Sequence, residues 1–309
     1  MSESNAVQIK YVAEATIGAT PVDSTAWKDL RFISDTLSGT TQVKASDESR
    51  VDRNVSDQYV TGVTTSGGIS CEVHASTYSD FIQAAMCGTA ASGVTKIGLT
   101  DRSFTIEKEF TDLSGFKALT FTGMRVSTAE LKFSYGSAVT ADFSFAGLVS
   151  AVSGGTTLVG SGSSTAMNTN VVMQSGGNLG GLQVDGASTG IVFKDISVKI
   201  DNSMRAVNGV GSNFAQDQKK GRALVTGNIN MYLDDAAWLF LAHSLDQTDF
   251  SVGFNVTDGT NTIAILLPKL NITGALPSRP GPDADVMFNG SYTALYDATE
   301  ATSLKITES

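Results

Sequence analysis

The sequence lacks the features that mark membrane-spanning, secreted and disulfide-rich proteins. Its longest apolar run, residues 263–267, is far shorter than the roughly 20 residues that a transmembrane helix needs. The N-terminus, MSESNAVQIKYVAEAT, has no basic start followed by an apolar stretch, so no signal peptide is expected. The only two cysteines, Cys71 and Cys87, predict buried free thiols, because two cysteines form no usual zinc site and disulfides are rare in reducing compartments.

Basic residues are also in short supply. The chain has 21 Lys and Arg against 31 Asp and Glu, a net charge of −10. Its only tight basic cluster is Lys219, Lys220 and Arg222. Proteins that grip nucleic acid usually show a basic patch, so this composition argues against tight binding. An acidic surface serves solubility, and it would also repel a polyanion.

Candidate catalytic groups are few and scattered. The two histidines, His74 and His243, lie far apart in the sequence, and no G-x-S-x-G motif precedes a predicted helix. The stretch SGGNLGGLQVDG lacks the glycine spacing of a nucleotide loop. Asp283 and Asp285 have no further clustered acids to form a metal site. The sequence therefore predicts no catalytic residue, no cofactor and no metal.

Glycine, serine and threonine are plentiful, and the chain repeats one pattern of segments twice. Each half has a strand-like opening, a long polar loop, a glycine-led strand, a short aromatic helix and a run of alternating strands. The first half contains LRFISDTL, a loop over residues 38–59, GGISCEVHAS, YSDFIQAAMCG and RSFTIEKEF. The second contains VFKDISVKI, a loop over residues 202–221, TGNINMYLDD, AAWLFLAHSL and FSVGFNVTD. Repeated small β-units are typical of proteins that build rings or arrays.

This pattern predicts a mainly β protein with two tandem β-domains, each carrying one short helix. The predicted divisions are an N-terminal arm (1–27), a first domain (28–150), a Gly/Ser-rich connection (151–190), a second domain (191–297) and a short polar C-terminal tail (298–309). Alternation over residues 103–110 predicts that Phe104 and Ile106 point inward and Glu107 and Glu109 point outward. Residues 118–135 read as a long strand with a bulge at Gly123.

The ordered series of segments resembles the major tail tube proteins of bacteriophages with long, non-contractile tails. The segments that carry the resemblance are YVAEATIGATP, LRFISDTL, RVDRNVSDQYVTG, GGISCEV, FIQAAMCG, RSFTIEKEFTD, LTFTGMRV and TADFSFAG, then NSMRAVNGVGS, GRALVTGNINMYLDDAAW, FNVTDGTNTIAILLPKL and DADVMFNGSYTALYD. It covers most of the chain and is weakest over residues 150–190. No single motif within it is as specific as a zinc signature.

The resemblance implies a fold and a role. Each domain resembles a β-sandwich with a flanking helix, and neighbouring domains join their inner sheets into a closed barrel. Rings stack into a hollow tube in the virion tail, and double-stranded DNA passes through it without tight binding. The implied partners are further copies of the chain and the tape-measure, terminator and tail-tip proteins, with assembly in the host bacterial cytoplasm and no membrane.

Two sets of residues are candidates for this role. The candidates for acidic groups facing the lumen are Glu72, Glu130, Asp142, Asp201 and Asp285. The candidates for contacts between subunits, in the two long loops, are Lys44, Arg50, Arg53, Lys219, Lys220 and Arg222. The loops are expected to be mobile in the free subunit and ordered in the tube, because they are polar and too long for simple connections.

Several alternatives remain open. The family generally closes a ring from six domains, so three chains with two domains each are expected; the competing arrangement has six chains, with the second domain on the outside. A surface adhesin or receptor-binding protein would share the composition, and a carbohydrate-active enzyme would need paired carboxylates in a cleft.

Overall fold

The computed structural model describes residues 2–21, 27–115, 117–154, 164–176, 179–274, 277 and 281–309. The fold is mainly β, with two short α-helices in the described part. The elements of the first half are β1 (Val7–Glu14), β2 (Lys28–Asp29), β3 (Ser34–Asp35), β4 (Ser38–Ala45), β5 (Gln58–Glu72), α1 (Ser79–Ala85), β6 (Val94–Lys96), β7 (Ser103–Phe110), β8 (Lys117–Ser134), β9 (Thr140–Gly147) and β10 (Val149–Gly154). Those of the second half are β11 (Gln183–Val184), β12 (Ala187–Ser188), β13 (Phe193–Asp201), β14 (Arg205–Val207), β15 (Asp217–Lys219), β16 (Leu224–Tyr232), α2 (Trp238–Asp246), β17 (Phe250–Thr257), β18 (Thr262–Gly274), β19 (Met287–Ala294) and β20 (Lys305–Glu308).

The long strand β8 belongs to two sheets. Its N-terminal part pairs with β7 and β10, and its C-terminal part pairs with β9 and β13. The change of sheet follows Gly123, whose φ of 68° favours glycine and where an added Cβ would lie 2.5 Å from the Leu148 side chain; the register with β7 shifts there. The bulge predicted at this glycine is confirmed.

The strands of the two halves pair in the same order. In the first half, β3 pairs with β5, β5 with β9, β9 with β8, and β8 also with β7 and β10. In the second half, β13 pairs with β16, β16 with β19, β19 with β18, and β18 also with β17 and β20. Each half thus has an inner run of four strands and an outer set that branches from its longest strand.

The two inner runs form one continuous sheet through β8 and β13. Seven residue pairs make this joint, from Asp195 opposite Ser134 to Asp201 opposite Thr128. All the pairings are antiparallel, and in the part of the chain that the structure describes the sheet stays open rather than closing into a barrel. We call this eight-strand sheet (β3 with β4, β5, β9, β8, β13, β16, β19, β18) the inner sheet.

One face of the inner sheet packs on the core. Phe143, Phe145, Ile196 and Ile229 alternate onto this face and are all at most 2% exposed. Each helix covers its own half through a buried phenylalanine: Phe81 of α1 and Phe240 of α2. Burial of such apolar area, at about 25 cal/mol per Å², is the main term that stabilises the fold.

Both predicted terminal segments are in fact paired strands. Residues 7–14 of the predicted arm form β1, which pairs along its whole length with β7, with Ile9 and Tyr11 buried. In the predicted polar tail, β20 lies between β18 and β6, and Leu304 and Ile306 are buried. Because β6 belongs to the first half, this last strand ties the two halves together.

The two predicted long loops contain strands. β4 pairs with the first part of β5 to make a projecting hairpin, and all eight residues of β4 are exposed. In the second loop, β14 and β15 form a short hairpin of their own. In the predicted connection, Val172 and Gln174 make isolated bridges to His74 and Ala138, near the strand expected over residues 171–173. Residues 155–163 and 177–178 of that connection lie outside the described residues.

Glu107 lies on the predicted face of β7, but the solvent exposure expected for it is wrong. β7 has the predicted bounds, and Phe104 and Ile106 are buried as expected, but Glu107 is fully buried as well. The reason is that the second face of this sheet is also covered: Val12, which lies opposite Thr105 on the same face as Glu107, forms a buried cluster with Trp27. Alternation alone cannot distinguish a solvated face from a covered polar one.

Candidate functional site: the polar face of the inner sheet

The face of the inner sheet that points away from the core is built from small polar residues and a few charges. The strand pairings place the following side chains on it: Ser70, Glu72, Thr128, Glu130, Lys132, Ser134, Thr140, Asp142, Ser144, Asp195, Ser197, Lys199, Asp201, Thr226, Asn228, Asn230, Asn271, Thr273, Asn289, Ser291 and Thr293. Five are acids and two are lysines, and arginine is absent from this set.

One row of this face crosses seven strands without a break. Starting at Ser70 in β5, the directly opposed residues are Asp142, Glu130, Lys199, Thr226, Thr293 and Asn271. Glu130 and Lys199 therefore form an opposite-charge cross-strand pair at the joint between the two halves, the arrangement that stabilises adjacent strands.

Two of the predicted acids, Glu130 and Asp142, share a lysine. Lys132 Nζ lies 2.8 Å from Asp142 Oδ2 and 3.5 Å from Glu130 Oε2. Ser70 Oγ donates to Asp142 Oδ1 at 2.5 Å. Burial alone would raise the pKa of Asp142, but the hydrogen bonds from Lys132 and Ser70 outweigh it and hold that pKa below its usual value. The carboxylate thus stays ionised and partly neutralised by its neighbour.

The other predicted acids lie at the margins. Glu72 is the exposed last residue of β5, and Asp201 is the last residue of β13, where it accepts a hydrogen bond from the Ser203 amide. Asp285 is exposed but precedes β19, which begins at Met287, so the strand position predicted for it is wrong. The residues after a bulge or turn are where alternation is least informative.

The basic residues of the first predicted loop are exposed and paired locally. Lys44 contacts Asp47 at 2.6 Å, and Arg50 binds Asp52 through two nitrogens at 2.9 and 3.1 Å. Arg53 takes a left-handed conformation with φ of 61° at the tip of the hairpin. Exposed ion pairs of this kind contribute little to stability, because water screens the charges and the long side chains lose entropy, so the tip is not held rigid by them.

The second predicted loop docks on the first half of its own chain. Lys220 lies 2.7 Å from Asp101 and donates to the Leu99 carbonyl, Lys219 pairs with Asp217 at 2.5 Å, and Arg222 is exposed. The Val63 amide donates to the Asn213 carbonyl at 2.6 Å.

Sequence reasoning missed the two residues that anchor this docking. Arg125 is only 7% exposed, and its Nη1 donates to the Gln218 carbonyl at 2.6 Å. Asn202 is buried and donates from Nδ2 to the carbonyls of Ala85 and Val126. A charged residue between Met124 and Val126, both buried, was the available signal, because such a residue needs a partner from elsewhere in the fold.

No group of three or more His, Cys, Asp and Glu side chains able to hold a metal occurs among the described residues. His74 is buried, its Nδ1 lies 2.7 Å from the Glu72 carbonyl, and burial lowers its pKa. Both cysteines are free and buried, as predicted, and burial raises the pKa of Cys71 to about 12. A thiol so protonated is a poor nucleophile.

None of the helices in the described ranges is long and apolar enough to cross a membrane. No curated protein matches the sequence closely enough to count as a relative. A family model described as "Phage tail tube protein" matches residues 4–294, nearly the whole chain. The chain therefore belongs to the phage tail tube protein family.

Proposed function

We propose that this chain forms rings that stack into a hollow tail tube, and that double-stranded DNA passes along the polar face of its inner sheet. Membership of the tail tube family supports a structural role in the virion tail, and with it self-assembly alongside other tail proteins. The observation that carries the finer proposal is the inner sheet, which has one polar face and, among the described residues, an edge without a partner strand at each end.

The chain is an internal duplication on this account. The shared pairing order of the two halves supports it, as does the position of each helix. Phe81 of α1 stacks edge-on against Phe104 of β7, with ring centroids 5.1 Å apart and an interplanar angle of 85°. Phe240 of α2 does the same with Phe250 of β17, at 5.1 Å and 84°.

The joint between the halves is the template for the joint between chains. β3 with β4 corresponds to β13, and their outer edge has no partner strand among the described residues. The end of β18, from Asn271 to Gly274, corresponds to the part of β8 that pairs with β13, and among the described residues its only partner strand there is β19. Pairing these two edges between chains removes both exposed edges, which are otherwise aggregation hazards.

Strand number favours three chains per ring over six. Eight inner strands per chain give 24 strands in a trimer. At a strand spacing of about 4.8 Å and a tilt of about 40°, a 24-strand barrel is about 48 Å across between backbones, which leaves room for one DNA duplex after side chains are added. Six chains with both halves lining the lumen would double that diameter.

The polar face suits a wall that DNA slides past. Hydroxyl and amide side chains dominate it, its two lysines face carboxylates, and its five acids outnumber them. Tight DNA binding arises when basic side chains displace counterions from phosphates, and this face offers little for that. Phosphates near a net-acidic wall are repelled only within the screening length of about 8 Å, so the effect keeps DNA off the wall rather than out of the tube.

Electron microscopy of the purified chain tests the proposal. Rings or hollow tubes with a central channel are expected once the protein is concentrated. Dispersed monomers under all assembly conditions would contradict it, and monomers with glycoside hydrolase activity would favour the enzyme alternative. An adhesin would instead appear on the virion surface by antibody labelling, outside the tail shaft.

A further inference from the structure

The helices α1 and α2 are covered by the rest of the chain to very different degrees. When α1 and α2 are aligned on Phe81 and Phe240, Ser79 corresponds to Trp238 and Met86 to Leu245. Met86 is 1% exposed, whereas Leu245 is 62% exposed and Trp238 is 60% exposed. Leu239, next to Trp238, is also exposed. Three large apolar side chains on one short helix are an unusual exposed patch.

Residues of the second half of the chain contact α1 and cover part of it. At the start of the helix, Ser79 Oγ donates to Glu308 Oε1 of β20 at 3.0 Å. At its end, Asn202, just after β13, donates to the Ala85 carbonyl at 2.9 Å. Thus α1 lies between the end of β13 and β20, and α2 has no such cover among the described residues.

The strand that corresponds to β20 is likewise uncovered. The two halves can be aligned by matching the cross-strand pair Ile106–Phe121 of the first half with the pair Val252–Leu267 of the second. In this alignment, Val152 of β10 occupies the position of Ile306 of β20. Ile306, in a strand that is also paired with β6 of the other half, is 1% exposed, whereas Val152 is 84% exposed. An apolar side chain is left in water at the place where the internal joint buries one.

A groove of about 420 Å³ runs beside Val152, between β4 and β10. The large apolar residues that line it are Leu37, Val63, Leu119, Phe121, Val152 and Phe214, the last of these from the second half of the chain. In the alignment of the two halves, β3 with β4 corresponds to β13, and β10 corresponds to β20. The groove therefore corresponds to the space between β13 and β20 that α1 occupies at the internal joint.

We propose that the exposed face of α2, formed by Trp238, Leu239 and Leu245, seats in this groove on a second copy of the chain. The inference rests on the proposed ring closure, since it uses the internal joint as the template for the joint between chains. Trp238 is the anchor, because aromatic residues that fill pockets dominate such interfaces. The contact lies on the outer side of the ring and is separate from the pairing of β18 with β3 and β4.

Tryptophan fluorescence tests the burial of α2. The chain has two tryptophans, and Trp27 is fully buried within the subunit, so only Trp238 can change its exposure on assembly. The difference between the wild type and Trp238→Phe isolates its signal. In the free subunit Trp238 should be quenched by acrylamide; in tubes of the purified chain it should be protected and its emission shifted to shorter wavelength.

Cross-linking between chains identifies the occupant. Chains with Leu245→Cys, which keep the Trp238 anchor, are mixed with chains carrying Val152→Cys, assembled, and treated with a short bis-maleimide. A covalent dimer is expected. The matched mixture, in which Leu99→Cys replaces Val152→Cys, should give none: Leu99 is also exposed, but it lies beside Lys220, where the two halves of one chain meet. Trp238→Glu should raise the protein concentration needed for assembly by about 30-fold, with unchanged unfolding of the isolated subunit.

The outcomes separate the two proposals. Tubes in which Trp238 stays open to acrylamide, or in which only the Leu99→Cys mixture cross-links, would overturn this inference and leave the tube function intact. Protection of Trp238 without the Val152 cross-link would place α2 against a different surface and overturn the assigned groove. Failure of the wild type to form rings or tubes would contradict the proposed function, and this inference with it.

Discussion

Arg125 in β8 and Gln218 in β15 join the two halves of the chain through one buried hydrogen bond, 2.6 Å from Nη1 to the backbone carbonyl oxygen. Asp101 lies 3.6 Å from the same guanidinium and also binds Lys220. The hydrogen bond from Lys220 is the main reason that the pKa of Asp101 lies below its usual value. The second predicted loop is therefore fastened to the first half before any assembly takes place.

Replacing Arg125 should loosen this loop. Arg125→Met leaves the Gln218 carbonyl without its charged donor, and we expect a loss of about 3 kcal/mol in the free energy of unfolding. Amide hydrogen exchange over residues 205–219 should become faster. The matched control is Arg222→Met, at an exposed arginine of the same loop, which should change stability by about 0.5 kcal/mol or less. Equal effects of the two substitutions would refute the role of Arg125.

The half-buried carboxyl of Glu308 should make the C-terminal strand sensitive to pH. Burial raises its pKa above the ordinary value of 4.5, despite the hydrogen bond from Ser79. The folded state then prefers the protonated form, so its contribution to stability falls as pH rises from the unfolded pKa through the folded one. The variant Glu308→Gln does not suffer this loss. The difference in melting temperature, variant minus wild type, should therefore increase as the pH is raised from about 4 to about 7. A constant difference across that range would contradict the assignment.

The accuracy with which each strand or helix was predicted depends on how clear a periodic pattern its residues form. β7 was predicted to the residue, and β17 was predicted one residue too long at its end. The pattern of β17 is clear because four apolar side chains alternate along it, and all of them, from Phe250 to Val256, are buried. The helices were predicted from aromatic residues at helical spacing. β20 was missed, because four residues with two charges give no periodic signal and its stability comes from β18 and β6 on either side.

The candidate site was predictable in type but not in arrangement. Alternation placed Glu130 and Asp142 on a polar face, and the structure brings them together, but nothing in the sequence indicates that Lys132 and Lys199 balance them. Arg125 and Asn202 were missed because their partners are more than 75 residues away along the chain.

Adding positive charge to the polar face should make the tube retain DNA. Asn228→Lys with Asn289→Lys places two lysines per chain on this face, and each lysine near a phosphate favours binding through counterion release. We expect slower DNA release from phage carrying these tubes at low salt, with recovery as salt increases. The control, Asn228→Glu with Asn289→Glu, changes the same positions with the opposite charge and should release DNA at the wild-type rate. Slowing by both pairs would point to distortion of the wall instead.

The projecting hairpin should act between subunits rather than within one. Its tip, residues 46–57, is almost wholly exposed, and Val51 and Val55 contact little of their own chain. Deleting residues 47–56 and closing the gap with two glycines should leave the melting temperature of the free subunit unchanged. Closed rings should still form, since ring closure uses β3, β4 and β18, but they should not stack into long tubes. Normal tubes from the deletion variant would exclude this role for the tip.

The rotational symmetry of one ring, determined at side-chain resolution from images of assembled tubes, tests the central claim most directly. The duplication predicts three chains around the axis, with approximate six-fold symmetry, 24 inner strands, and Glu130, Asp142 and Lys199 facing the lumen from each chain. Six equivalent chains around the axis, with the second half on the outside of the tube, would contradict it.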